Sequence, residues 1–78
     1  MVNSEEKLKE IINIILEKDG KNPLVQLDHN LSLRKDLRMD SLDLAELTVR
    51  IEDQFGVDIF EDEIVDTIQQ ILEKIDKR

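Results

Sequence analysis

Asp40-Ser41-Leu42-Asp43-Leu44-Ala45-Glu46-Leu47-Thr48-Val49-Arg50-Ile51-Glu52-Asp53-Gln54-Phe55-Gly56 is the stretch on which the fold turns. Leu44, Leu47, Thr48, Ile51 and Phe55 recur in it at steps of three and four, the period of a helix that buries one face. Asp40 stands where a cap is needed, and Asp43 three positions on imitates the acid of a capping box with a shorter side chain. Gly56 stops the run. These signals predict a helix from Ser41 to Phe55, roughly 22 Å long at about 1.5 Å per residue.

Upstream, Leu8, Ile11, Ile12, Ile15 and Leu16 make a second stripe of the same period. Ser4 suits its amino-terminal cap, and Glu5 and Glu6 suit the positive end of its dipole. The expected helix runs from about Ser4 to Lys18, closed by Asp19-Gly20-Lys21-Asn22-Pro23, where Gly accepts a left-handed turn and Pro cannot extend the helix. The connection from there to Asp40 is long for a compact domain. It carries Leu24, Val25, Leu27, Leu31, Leu33 and Leu37, so it is expected to be pinned across the core, with a short helical turn near Leu31 to Leu37.

Downstream, a turn at Val57 to Ile59, a short acidic helix around Glu61 to Asp66 and a last helix through Ile68, Ile71, Leu72 and Ile75 complete the pattern. Val57-Asp58-Ile59 has no second strand to pair with. The expected fold is all-α: a small four-helix bundle, three main helices plus one short helix, with a long loop between helices one and two, in a single domain over residues 1–78.

Composition supports that picture and narrows the function. Leu (11), Ile (10) and Val (5) dominate the apolar residues, and two Phe are the only aromatics, so the core rests on many small aliphatic contacts. There is no cysteine, which excludes disulfide scaffolds and thiolate zinc sites. The longest apolar run, Ile14-Ile15-Leu16, is far below the ~20 residues of a membrane span. A soluble, cytoplasmic, monomeric protein is expected.

The formal net charge is −8. Residues 1–39 and 64–78 are balanced. Residues 40–63 hold nine acids (Asp40, Asp43, Glu46, Glu52, Asp53, Asp58, Glu61, Asp62, Glu63) against the single base Arg50, so the entire excess lies in one segment. Nucleic acid is a poor partner for such a chain, since phosphate binding needs a basic face. Crowded like charges cost folding free energy, and a docking surface for basic proteins is a use that would offset that cost.

Catalytic templates find no match. The lone His29 sits between Asp28 and Asn30 and reads as a loop-packing residue. No glycine-rich phosphate loop and no His pair are present, and Asp58 to Glu63 lacks the alternating ligands and central Gly of a calcium loop. No metal site is expected. What remains is Ser41, a hydroxyl in the first turn of the most acidic helix, where unpaired N–H groups and the helix dipole favour an attached anion while Asp40 and Asp43 oppose it. By position alone, Ser41 reads first as a small polar residue at a helix start.

Asp36-Leu37-Arg38-Met39-Asp40-Ser41-Leu42-Asp43, with Glu46-Leu47 and then Glu52-Asp53-Gln54-Phe55-Gly56-Val57-Asp58-Ile59, resembles the acyl carrier protein family over most of the chain. The resemblance implies that Ser41 carries 4′-phosphopantetheine, whose thiol holds acyl groups as thioesters, and that Asp40 helps position the modifying chemistry. It places Leu42, Asp43, Glu46, Glu52 and Asp53 on the helix that partner enzymes recognise. The implied partners are a phosphopantetheinyl transferase, which moves the arm from coenzyme A, and acyl-loading and acyl-processing enzymes with basic docking patches.

Three departures bear on the pathway. Arg38 stands where the family usually has Gly, Phe60 where Pro is common, and Arg50 interrupts the acidic helix. The segment before Thr67-Ile68 is also about two residues shorter than in typical fatty-acid carriers. The resemblance implies a carrier for a fatty-acid, polyketide or another dedicated biosynthetic pathway, and these departures suggest a specialised one, for a dedicated acyl, polyketide, hydroxyacyl or aminoacyl pathway. The competing reading is an unmodified acidic helical adaptor for basic proteins.

Overall fold

A computed structural model of the chain describes residues 3–60 and 65–76. Within them lie three α-helices, α1 (Ser4–Lys18), α2 (Ser41–Phe55) and α3 (Ile68–Asp76), and no β-strand. The two long helices have the bounds expected from their stripes. The short acidic helix expected around Glu61 to Asp66 falls largely on residues 61–64, outside the described residues, while Val65 and Asp66 are not helical. Three helices, not four, are therefore the observed architecture among the described residues.

Each helix end has a local chemical cause. Asn3, not Ser4, caps α1: its backbone is extended and its Oδ1 accepts the Glu6 N–H at 2.8 Å, so Ser4 is already inside the first turn. At the other end Gly20 takes φ 78°, and the Gly20 and Lys21 N–H groups bond to the carbonyls of Glu17 (3.0 Å) and Leu16 (2.8 Å). That pair of bonds is the Schellman closure, and it needs the left-handed residue that Gly supplies most readily. α2 begins with a true capping box between Asp40 and Asp43 and ends at Gly56 with φ 72°. Before α3, Thr67 and Gln70 cap each other: Thr67 Oγ1 accepts the Gln70 N–H at 3.2 Å, and Gln70 Oε1 accepts the Thr67 N–H at 3.0 Å.

The core is aliphatic throughout. Leu8, Ile11, Ile12, Ile15 and Leu16 of α1 meet Leu47 and Ile51 of α2 and Ile68, Ile71, Leu72 and Ile75 of α3, all buried. The connection between α1 and α2 is tied down as its aliphatics foretold. Leu33, Leu37 and Met39 are buried, and Leu24, Leu27 and Leu31 pack against the core's edge. Val25 does not join them and is 86% exposed.

Polar bonds fix the path of this loop. Asn13 Oδ1 accepts the Leu24 N–H (2.7 Å) and its amide donates to the Leu24 carbonyl (3.1 Å). Leu33 N–H donates to the Asp66 carbonyl (2.6 Å), and Ile68 N–H to the Leu31 carbonyl (3.1 Å), beside an isolated bridge between Ser32 and Thr67. The expected turn near Leu31 to Leu37 is one hydrogen-bonded turn, Asp36 N–H to the Ser32 carbonyl at 3.0 Å. The loop thus delivers the chain to Asp40 at a fixed point, which positions the head of α2.

Candidate functional site at the head of α2

Ser41 is the first residue of α2, directly after its cap, and is exposed. Its hydroxyl makes no hydrogen bond to a described residue, so an incoming group meets a free oxygen. Asp40 is occupied with structure: its Oδ1 accepts the Asp43 N–H at 2.9 Å. The first-turn N–H groups and the positive end of the helix dipole lie beside the hydroxyl and favour an anion there.

The acids expected to form one display surface divide into three kinds. Asp43 is only 4% exposed. It faces the core side of α2, in line with Leu47 and Ile51, and is not displayed for docking; its role is to close the capping box. Burial, then the adjoining Asp19 carboxyl, pushes its pKa above the ordinary aspartate value.

Glu46 is half-buried and shared by two cations. It pairs with Lys18 of α1 and, at 2.9 Å, with Arg50 one turn on. Those bonds, Lys18 first, hold its pKa below the usual glutamate value. Glu52 and Asp53 are exposed and belong to no ion pair among the described residues. They are joined on the open face by Leu42, 80% exposed, and Val49, 66% exposed. The free face of α2 is thus apolar at its head and acidic toward its end.

Beside Ser41 lies a groove of ≈ 330 Å³ lined by Arg34, Ser41, Leu44, Ala45, Thr48 and Phe60. Sequence reading did not find Arg34, Thr48 or Phe60 as neighbours of the site. For Thr48 the helical period carried the signal, since it lies seven residues after Ser41 on the same face. Arg34 and Phe60 are brought in from separate segments and left no local trace.

Arg38, three residues before Ser41, has φ 56° and is the one non-glycine in the left-handed region among the described residues. Such a conformation costs a side-chain-bearing residue about 1–2 kcal/mol, which explains physically why Gly suits this position. The Lys21 ammonium donates to the carbonyls of Leu37 (3.1 Å) and Arg38 (2.9 Å) and holds the turn.

His29 stands apart from the site. Its ring bridges Glu5 at the start of α1 and Gln69 in α3 (Nδ1 to Oε1, 2.9 Å), and its carbonyl accepts the Gln69 N–H at 2.9 Å. It is a structural tie, and these bonds, that to Glu5 first, raise its pKa. Among the described residues no group of three or more His, Cys, Asp or Glu side chains could hold a metal ion, and no helix is long and apolar enough to cross a membrane.

Residues 6–75 match the family described as the phosphopantetheine attachment site, which makes this a carrier domain of the phosphopantetheine-binding class. The whole chain aligns at 35% identity with 96% of the acyl carrier protein of Buchnera aphidicola subsp. Schizaphis graminum. It is 37% identical over 91% of its length to acyl carrier protein 3 of Ralstonia nicotianae, covering 79% of that protein. It is 30% identical over 99% of its length to the acyl carrier protein of Thermobifida fusca, covering all of it. The chain belongs to the acyl carrier protein family, whose prosthetic group is 4′-phosphopantetheine and whose members are carriers, not enzymes.

Proposed function

We propose that Ser41 is the attachment point of the arm and that the chain presents thioester-bound acyl groups to separate enzymes of a dedicated biosynthetic pathway. The arm supplies a terminal thiol that holds the acyl group as a thioester. The observation that carries the assignment is the exposed Ser41 hydroxyl, without a hydrogen bond among the described residues, at the head of a capped helix with a groove beside it. Asp40 and Asp43 are taken up by the capping box, so a base on the transferase takes the hydroxyl proton as Ser41 Oγ bonds to the phosphorus that bears the arm. The bond from that phosphorus to the nucleotide part of coenzyme A breaks, and the nucleotide leaves. Asp40 keeps the head of the helix rigid by capping it, which holds the oxygen in one place for that enzyme.

Partner enzymes with Lys and Arg around their entrances dock on the open face of α2 through Leu42, Glu52 and Asp53. Glu46 contributes only where a partner's cation displaces Lys18 or Arg50. Exposed charge pairs are worth about 0.2–1 kcal/mol each, which suits docking that must release. Tethering then replaces bulk concentration by an effective one in the partner's active site. The departures at Arg38, Arg50 and Phe60 support a pathway other than general fatty-acid synthesis, in a cytoplasmic, monomeric carrier. Membership in the family weighs against an unmodified acidic adaptor.

The test is incubation of the purified chain with coenzyme A and a broad-specificity transferase, followed by intact mass. A phosphopantetheine increment that is lost in Ser41→Ala supports the reading. No increment on the wild type, while a control carrier is modified, sinks it. For docking, Glu52→Lys slows acyl transfer to a partner enzyme several-fold more than Glu73→Lys on α3; equal effects remove α2 as the docking face.

A further inference from the structure

The groove at Ser41 contains a cation that the carrier reading leaves without a task. Ser41, Leu44, Ala45 and Thr48 are one face of α2, spaced three, four and seven residues from the serine and extending about 10 Å along the helix. Arg34, from the loop before α2, and Phe60, from the segment after it, complete the lining. Among the described residues of that lining, Arg34 is the one that carries a charge.

Its guanidinium is held in place from one side only. Nη1 donates to the Val65 carbonyl (3.2 Å) and to Asp66 Oδ1 (3.3 Å), and the Arg34 backbone N–H leans on the same carboxylate (3.4 Å). Asp66 is itself fixed by the Ser32 hydroxyl at 2.7 Å. Nε and Nη2 make no hydrogen bond to a described residue, so among those residues the planar fork is positioned through Nη1 alone. A phosphodiester on Ser41 Oγ brings one negative charge to the mouth of this groove. Asp40, next to Ser41, opposes that charge; the dipole of α2 and a guanidinium favour it. Beyond the phosphate, Leu44, Ala45 and Phe60 offer apolar contact.

We propose that Arg34 binds the phosphodiester of the arm through Nε and Nη2, so that the resting arm lies folded along α2 in the Ser41 groove instead of extending into solvent. This inference rests on Ser41 being the attachment point. It makes Arg34 a positioning residue for the arm, and it makes release of the arm to a partner a competition for that guanidinium. Arg38, the cation nearest before Ser41 in sequence, borders a separate cavity with Leu16, Lys21, Asn22, Leu24, Asp36 and Leu37, and it serves as the control.

The experiment compares apo and holo forms of the full chain, each verified by intact mass, using the ³¹P resonance of the arm and the ¹⁵N signal of Arg34 Nε. The expected result is a displaced Arg34 Nε signal on arm attachment. The ³¹P resonance should move in Arg34→Met, stay close to wild type in Arg34→Lys and be unchanged in Arg38→Met. Raising salt to about 0.5 M, where charges are screened within a few ångströms, should carry the wild-type ³¹P signal toward its position in Arg34→Met. If Arg34→Met loosens the fold through loss of the Val65 and Asp66 bonds, the Arg34 Nε signal of the wild type decides alone.

An Nε signal indifferent to the arm overturns the proposal, as does a ³¹P resonance that ignores Arg34→Met in a folded sample or moves equally in Arg38→Met. Absence of any mass increment overturns the carrier reading, and this inference with it. An increment with unmoved signals overturns this inference alone.

Discussion

α1 and α2 are both fifteen residues long, yet they use their surfaces in opposite ways. α1 seals five aliphatic side chains into the core; α2 seals only Leu47 and Ile51, together with the carboxyl of Asp43, and leaves Leu42 and Val49 in water. The difference separates anchoring from presentation. α1 supplies cohesion, while α2 keeps one face open, the face on which we propose attachment at Ser41 and docking beside it. Leu44 and Phe55 add half-buried contacts to the core, and α2 is closed at its ends by the Asp40–Asp43 box and Gly56 and tied to α1 by the Lys18–Glu46 bridge.

The contrast is broken most directly by truncating one residue on each side. Ile12→Ala, fully buried on α1, should cost about 2–5 kcal/mol in denaturant unfolding. Val49→Ala on the open face of α2 should stay within about 0.5 kcal/mol. Comparable losses would mean that α2 anchors as α1 does.

A smaller effect tests the turn that delivers α2. Arg38→Gly should gain about 1 kcal/mol, seen as a higher melting temperature, because Gly adopts the left-handed conformation without the clash. A loss would show that the Arg38 side chain contributes more than its backbone costs.

Asp43 sharpens the comparison from inside α2. Its folded pKa is raised, so the fold resists its charged form: this penalty is full above the folded pKa and fades as pH falls toward the unfolded value. Asp43→Asn keeps an acceptor for the cap and adds a donor toward Asp19. It should raise stability near pH 7 by at most about 1 kcal/mol, and the gain should vanish in mild acid. A gain of the same size at both pH values would place its cause elsewhere.

The smallest effect concerns the start of α1. His29 has a raised pKa, so the stability from its ties to Glu5 and Gln69 is present below the unfolded His value and is lost as pH rises through the folded one. An NMR titration should find His29 above its ordinary value and Glu5→Gln should bring it down. An unchanged titration in Glu5→Gln would dissolve the tie.

Much of this was legible before any coordinates. All five residues of the α1 stripe are buried, and the bounds of α1 and α2 coincide with those their apolar period implied. The proposed attachment point was legible as a serine at a capped helix start, and the structure describes that helix start as capped. Asp43 was misjudged as a displayed acid, although it stands four and eight residues before Leu47 and Ile51 on the buried line. Its charge was read ahead of its register. The role of Asn3 as cap was missed because Ser4, one position later, is an equally good capping type.

The sequence alone determined what depends on near neighbours: helical periods, caps, left-handed turns and the charge of a segment, each set by residues within about four positions of one another. Only the tertiary structure decided which acids face water, that Lys18 reaches Glu46 from another helix, and that Arg34 and Phe60 share a groove with Ser41. Those outcomes follow from how helices and a pinned loop pack, a matter of side-chain volume and chain closure over distances that no local pattern records.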